Sequence, residues 1–246
     1  MKYSKVVILL LTLSLSLGVQ AELSPHVNVE TVYAALTGKD SEQQAAMLQK
    51  ILKNSEQTSA TILFLAAGLA RKLSDKENAA FLFYAGQIRG AADLKNFPPR
   101  AKGGNSPEVM LGSLSYQLGS VINAELMRTP TMFSKVVQRL NSWQPGYGKD
   151  YKPDWESENR LNLNEKPVEM NRVKQGRIGP MLELSELLSD KKYFDSFLVV
   201  QNYNLNRAKY KDDQVMKNKK LEAEKEMVRI EKAKHLKGFM TIQESE

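Results

Sequence analysis

The 246-residue chain has no cysteine, and its only histidines are His26 and His235. Without cysteine there are no disulfide staples, no thiol nucleophile and no thiolate-bound metal. Two isolated histidines make no cluster for a metal, so neither a metal nor a cofactor is expected. Strand signals are as scarce: no segment alternates apolar and polar residues with period two, and the best strand candidate, 197–200, is only four residues long. Proline is thin as well, and five of its nine copies fall in two stretches, 96–107 and 144–166, which read as loops.

What is present is an ordinary globular composition. Hydrophobic residues make up 42% and charged residues 26%, with Lys+Arg 35 against Asp+Glu 28 and a net charge of +7. A basic start, an apolar stretch over 6–17 and the small-x-small ending Val19-Gln20-Ala21 have the parts of a signal peptide over residues 1–21. That apolar stretch is too short to cross a bilayer, which takes roughly 20 residues. Export is therefore expected, to a bacterial periplasm or beyond, with no transmembrane segment in the mature chain. Nucleic acid is not an expected partner for an exported protein.

The rest reads as helix, which makes the fold class all-α: helical hairpins or a bundle. Ser41 with Gln44 has the spacing of a capping box ahead of a helix carrying Met47, Leu48 and Ile51. Residues 59–73 are apolar nearly all round, the mark of a helix buried between others. Glu77 opens the next helix, to about Leu94. Ser106-Pro107-Glu108 is a strong start signal for one running to about Met127. Pro130 heads a helix that ends near Trp143. Helix is expected again at 166–173, from Pro180, and over 193–203. A long charged helix closes the chain over 205–237, where eleven basic residues face six acidic ones. The domains expected are thus a helical body over 22–143, an aromatic Pro/Gly loop over 144–166, and C-terminal helices over 167–246.

Ala79, Phe83 and Gly86, following the helix at 59–73 across a short polar turn, resemble the second helix of a tetratricopeptide-like hairpin. The resemblance covers residues 60–92 and implies small residues at a close helix pair with an aromatic filling the gap. It departs from that family at Ala66, Ala67 and Ala70, and no second copy follows. The run Phe81 to Arg89 also resembles segments of uncharacterised bacterial envelope proteins of immunity type.

Two groups are candidates for binding. Trp143, Tyr147, Tyr151 and Trp155 recur every four residues in a stretch whose prolines and glycines forbid a continuous helix. Exposed aromatics on a long loop suit a contact surface, and a strap packed on the helical body is the competing reading. Gln87 and Arg89 are polar residues beside an apolar helix face: either anchors for a partner, or buried groups that satisfy neighbouring backbone. No nucleophile elbow, phosphate loop or metal motif occurs. The expectation is an exported, non-catalytic protein whose partner is another protein, in its specific form an immunity or inhibitor protein that occludes a toxin or hydrolase. An envelope chaperone or assembly factor acting on client proteins is one alternative, and a cell-wall hydrolase another.

Overall fold

The structure is a computed structural model that describes residues 27–149, 151–157 and 166–238. The expected signal peptide lies outside the described residues. All the regular elements described are helical, with one isolated bridge between Pro99 and Ser157.

Helices α1 (Val29–Thr37) and α2 (Ser41–Lys53) form an opening hairpin. The capping differs by one residue from the sequence expectation. Asp40, not Ser41, caps α2, its carboxylate accepting from the amides of Glu42 and Gln43 at 3.0 and 3.1 Å. Gln44 does not reach back to the cap. Its Nε2 instead donates to the carbonyls of Ala35 and Gly38 at the end of α1, where Lys72 Nζ also donates to Leu36 and Gly38. The last carbonyls of a helix have no intrahelical partner, and a cation there also suits the dipole. Helix α1 is not among the helices expected from the sequence, although Asn28 caps it, its Oδ1 accepting from Thr31 N at 2.8 Å.

The centre of the molecule is an antiparallel pair, α3 (Ala60–Lys72) and α4 (Lys76–Asn96). Ser74, at φ 62°, turns the chain between them, while Asp75 N donates to Ala70 O at 2.8 Å and its carboxylate caps α4 at Asn78. Ten of the thirteen residues of α3 are buried, as an all-round apolar helix should be. Gly86 is where the two helices come closest. A Cβ there would lie 3.2 Å from the Phe64 ring, which packs edge-on to Phe83 at 5.9 Å. Phe83 in turn fills the space over Gly119 of α5 (Pro107–Met127). Ser106 caps α5 and Pro107 occupies its first position, as the sequence predicts.

Helix α4 is the hub: α3, α5, α6 (Pro130–Ser142) and α7 (Lys166–Ser189) all pack on it. The sequence divides α7 at Pro180, whereas the structure carries one helix through it. Pro180 removes the hydrogen bond that would reach back to Gly176. Gly176 and Gly179 have open space where a Cβ would sit, so no neighbouring element among the described residues packs against α7 at those two positions. From α6 to α7 the link is again a lysine: Lys174, 4% exposed, donates to Asn141 O at 2.7 Å and to Trp143 O, closing the end of α6.

The last unit is an antiparallel hairpin of α8 (Lys191–Leu205) and α10 (Gln214–Lys234). Ala223, Met227 and Ile230 of α10 are buried, and Tyr193 Oη donates to Glu231 Oε1 at 2.8 Å. The single charged helix expected over 205–237 is therefore shorter and interrupted. A one-turn α9 (Arg207–Tyr210) comes first, and Asp213 caps α10 through the amide of Met216.

Candidate functional site

The six candidate residues fall into one neighbourhood and one bond outside it. Residues 143–157 run as a strap past α4 and the short helix at Ser55–Gln57. Arg89 lies underneath, fully buried on α4. Its Nη1 donates to Gly146 O at 3.0 Å and its Nη2 to Glu56 O, so one guanidinium ties the strap, the loop before α3 and α4 together. The same group lies against two strap rings, 5.2 Å from the centroid of Tyr147 and 4.9 Å from that of Tyr151. A planar cation that donates in its plane and stacks on aromatic faces does what a lysine cannot.

Asp93, one turn along α4 and also fully buried, accepts a hydrogen bond from the Tyr151 hydroxyl. Asn96, one further turn on, donates to the Tyr147 hydroxyl at 2.9 Å. Phe97 gathers Tyr147 and Tyr151 into one aromatic cluster, with ring centroids 5.4 and 5.8 Å from its own. Trp155 Nε1 donates to Phe97 O at 2.8 Å, and the strap ends with Arg100 N donating to Glu156 O at 3.0 Å.

Burial pushes the Asp93 carboxyl up to about 6, an effect that the Arg89 guanidinium and the hydroxyls of Tyr151 and Tyr147 partly offset. Burial and the nearby Asp93 charge hold both tyrosines above the ordinary phenol range, so they stay neutral donors at physiological pH. Asp93 Oδ1 and Arg89 Nε, both buried, have no hydrogen-bond partner among the described residues.

The four strap aromatics therefore turn toward the body. Trp143 is buried and packs edge-on to Phe81 at 6.2 Å, and the other three are half-buried with their polar atoms engaged inward. The outward positions of the strap are Gln144, Lys149, Lys152 and Glu156, whereas the Asp154 carboxyl faces Ser59 and Thr61 at the start of α3 and is held above the usual carboxylate range by burial. Gln87 lies apart from the strap, where its Nε2 donates to Ser115 Oγ at 2.9 Å and joins α4 to α5. Arg89 and Trp143 have no surface to offer a partner in this arrangement.

Sequence reasoning missed two things. Asp93 and Asn96 follow Arg89 at i+4 and i+7, a polar stripe on a helix otherwise buried, and that spacing was the available signal. The second is the outer face of α5. Between Glu108 and Glu125 the helix has sixteen residues without a charge. Val109, Ser113, Tyr116 and Ser120 form one exposed stripe, flanked by Met110, Gln117 and Val121, with Tyr116 84% exposed. In a chain of one-quarter charged residues, a solvent-facing helix side free of charge departs from an ordinary surface.

Among the described residues there is no group of three or more His, Cys, Asp or Glu placed to hold a metal, and no helix long and apolar enough to cross a membrane. Compared with known proteins, the chain matches no family model, no curated protein and no solved structure.

Proposed function

We propose that this is an exported, non-catalytic protein that acts by docking on another protein, in the form of an envelope immunity or inhibitor protein that occludes a toxin or hydrolase. The observation that carries the reading is the charge-free outer face of α5, with Tyr116 at its middle. Tyrosine surrounded by small residues is suited to an interface centre: it presents a large amphipathic ring at low entropic cost, while Ser113 and Ser120 let a partner approach closely. The partner this face fits is a folded protein with an uncharged, apolar contact patch. A charged partner would have to give up hydration with no counter-charge in return.

The body behind the face supports such use. Gly119 seats Phe83, Tyr84 Oη donates to Asn123 Oδ1 at 2.9 Å, and Gln87 holds Ser115, so α5 is fixed on its inner side and pre-organised on its outer side. The strap aromatics contribute by rigidifying the body rather than by contact. A chaperone arm made from the charged C-terminal helix fits less well, because α10 is docked on α8 along its apolar line.

The test is affinity capture from envelope extract with the mature protein, followed by reconstitution with the recovered protein. A single stoichiometric complex is expected, with the partner's own activity suppressed in it. Tyr116→Asp should abolish the complex without changing the circular dichroism spectrum. Association through this face only with further copies of the same chain, or undiminished capture by Tyr116→Asp, rejects the reading.

A further inference from the structure

The tip of the C-terminal hairpin carries a second, unrelated feature. Tyr203 at the end of α8, Arg207 of α9, and Lys217, Lys220, Leu221 and Glu224 of α10 line a groove of about 460 Å³. Lys220 Nζ is already paired with the Glu224 carboxylate and sits 5.7 Å from the Tyr203 ring centroid. Arg207 and Lys217 carry no ion pair among the described residues, and Asp213, the acid one turn before Lys217, caps α10 through Oδ1. Three cations and one carboxylate leave the groove at +2. The wall is aromatic: Tyr203 stacks on Tyr210 at 6.1 Å and 25°, with Lys209 Nζ 5.4 Å from the Tyr210 ring centroid.

We infer that this groove is a binding site for a phosphate-bearing anion, held between Arg207 and Lys217 with Lys220 behind. A phosphate group matches the two cations left without counter-ions. Its several oxygens can take the guanidinium fork in plane and a lysine ammonium from the opposite side at once. A single carboxylate would repeat what Glu224 already supplies to Lys220 and leave a cation unbalanced. The groove lies on a hairpin whose α10 packs on α8 and α9, so occupation would not disturb the α3–α4 centre. The phosphate could belong to a free compound or to a lipid headgroup, and the chemistry at the groove is the same for both.

The experiment uses the mature full-length chain. Calorimetric titrations with inorganic phosphate and pyrophosphate form one arm. Co-sedimentation with phosphatidylglycerol vesicles, against phosphatidylcholine vesicles, forms the other. Binding by either arm is expected, weakening as salt is raised, and falling at least about tenfold in the double variant Arg207→Glu/Lys217→Glu. The control is Lys39→Glu/Lys53→Glu, which makes the same change in net charge at exposed positions near α2 and should keep full binding. Binding of the soluble anions alone assigns the site to a free phosphate compound, and binding of the anionic vesicles alone assigns it to a headgroup. Equal losses in the control, binding of a polyglutamate peptide with neither phosphate probe, or no binding at all, overturns the assignment. None of these readouts depends on α5 or on a protein partner.

Discussion

Arg89 Nη1 donates to the carbonyl of Gly146 at 3.0 Å across 57 residues of chain, and that bond fixes the middle of the strap to the central helix. Around it, α4 anchors α3, α5, α6, α7 and the strap, using Gly86 for approach, Arg89 for backbone carbonyls and Asp93 for a phenol.

Arg89 is therefore the most sensitive polar position in the body. Arg89→Met removes both carbonyl contacts and leaves the Asp93 carboxylate without its cation. The expected loss is about 3–5 kcal/mol, read as a fall in Tm of roughly 10 °C. Trypsin should then cut faster after Lys149, an exposed strap lysine. Arg89→Lys should rescue only part of this, because an ammonium cannot reproduce the fork. A Tm within one degree of the parent would refute the account.

Asp93 gives the fold a definite pH response. Its carboxyl is pushed up to about 6, above its unfolded value near 4. A carboxyl whose folded pKa lies above the unfolded one binds its proton more tightly in the fold. Its favourable contribution is fully present below about pH 4 and is lost as pH rises through 6. Tm measured from pH 4 to 7 should therefore carry a downward component from this group. Asp93→Asn should remove that component, and an identical profile in the variant would rule it out.

Close packing at Gly86 predicts intolerance of even one methyl. A Cβ at Gly86 meets three Phe64 ring atoms at 3.2–3.3 Å, and Phe64 is held by Phe83. Gly86→Ala should cost about 1–3 kcal/mol, despite alanine's better helix propensity. Phe64→Leu in the same chain should recover part of that cost, giving a non-additive double-mutant cycle in urea unfolding. Strict additivity would show that the two side chains do not contend for the same space.

Lys174 has a narrower role, the closing of α6. Lys174→Met keeps the buried stem but deserts the carbonyls of Asn141 and Trp143. The expected cost is about 1–3 kcal/mol. Amide exchange should accelerate first in the last turn of α6 rather than across the whole molecule. Uniform acceleration would place the loss elsewhere.

Local chemistry alone determined a good deal here. The apolar circumference of 59–73 dictated a helix buried on all sides, Ser106-Pro107 fixed the start of α5, and the Pro/Gly content of 144–157 kept that stretch out of the helices. These are short-range effects of sterics, capping and periodicity, and they are legible in a window of a few residues. Tertiary structure alone decided whether Trp143, Tyr147, Tyr151 and Trp155 point outward or inward, and it turned them in: Asn96 and Asp93 keep the Tyr147 and Tyr151 hydroxyls bonded as their rings leave water, Phe97 O does the same for Trp155, and Trp143 packs on Phe81. It also carried α7 through Pro180, where packing on α4 and α6 outweighed propensity. The exposed side of α5 was decided the same way: an uncharged helix is buried on whichever side its neighbours cover, and among the described residues they cover only one.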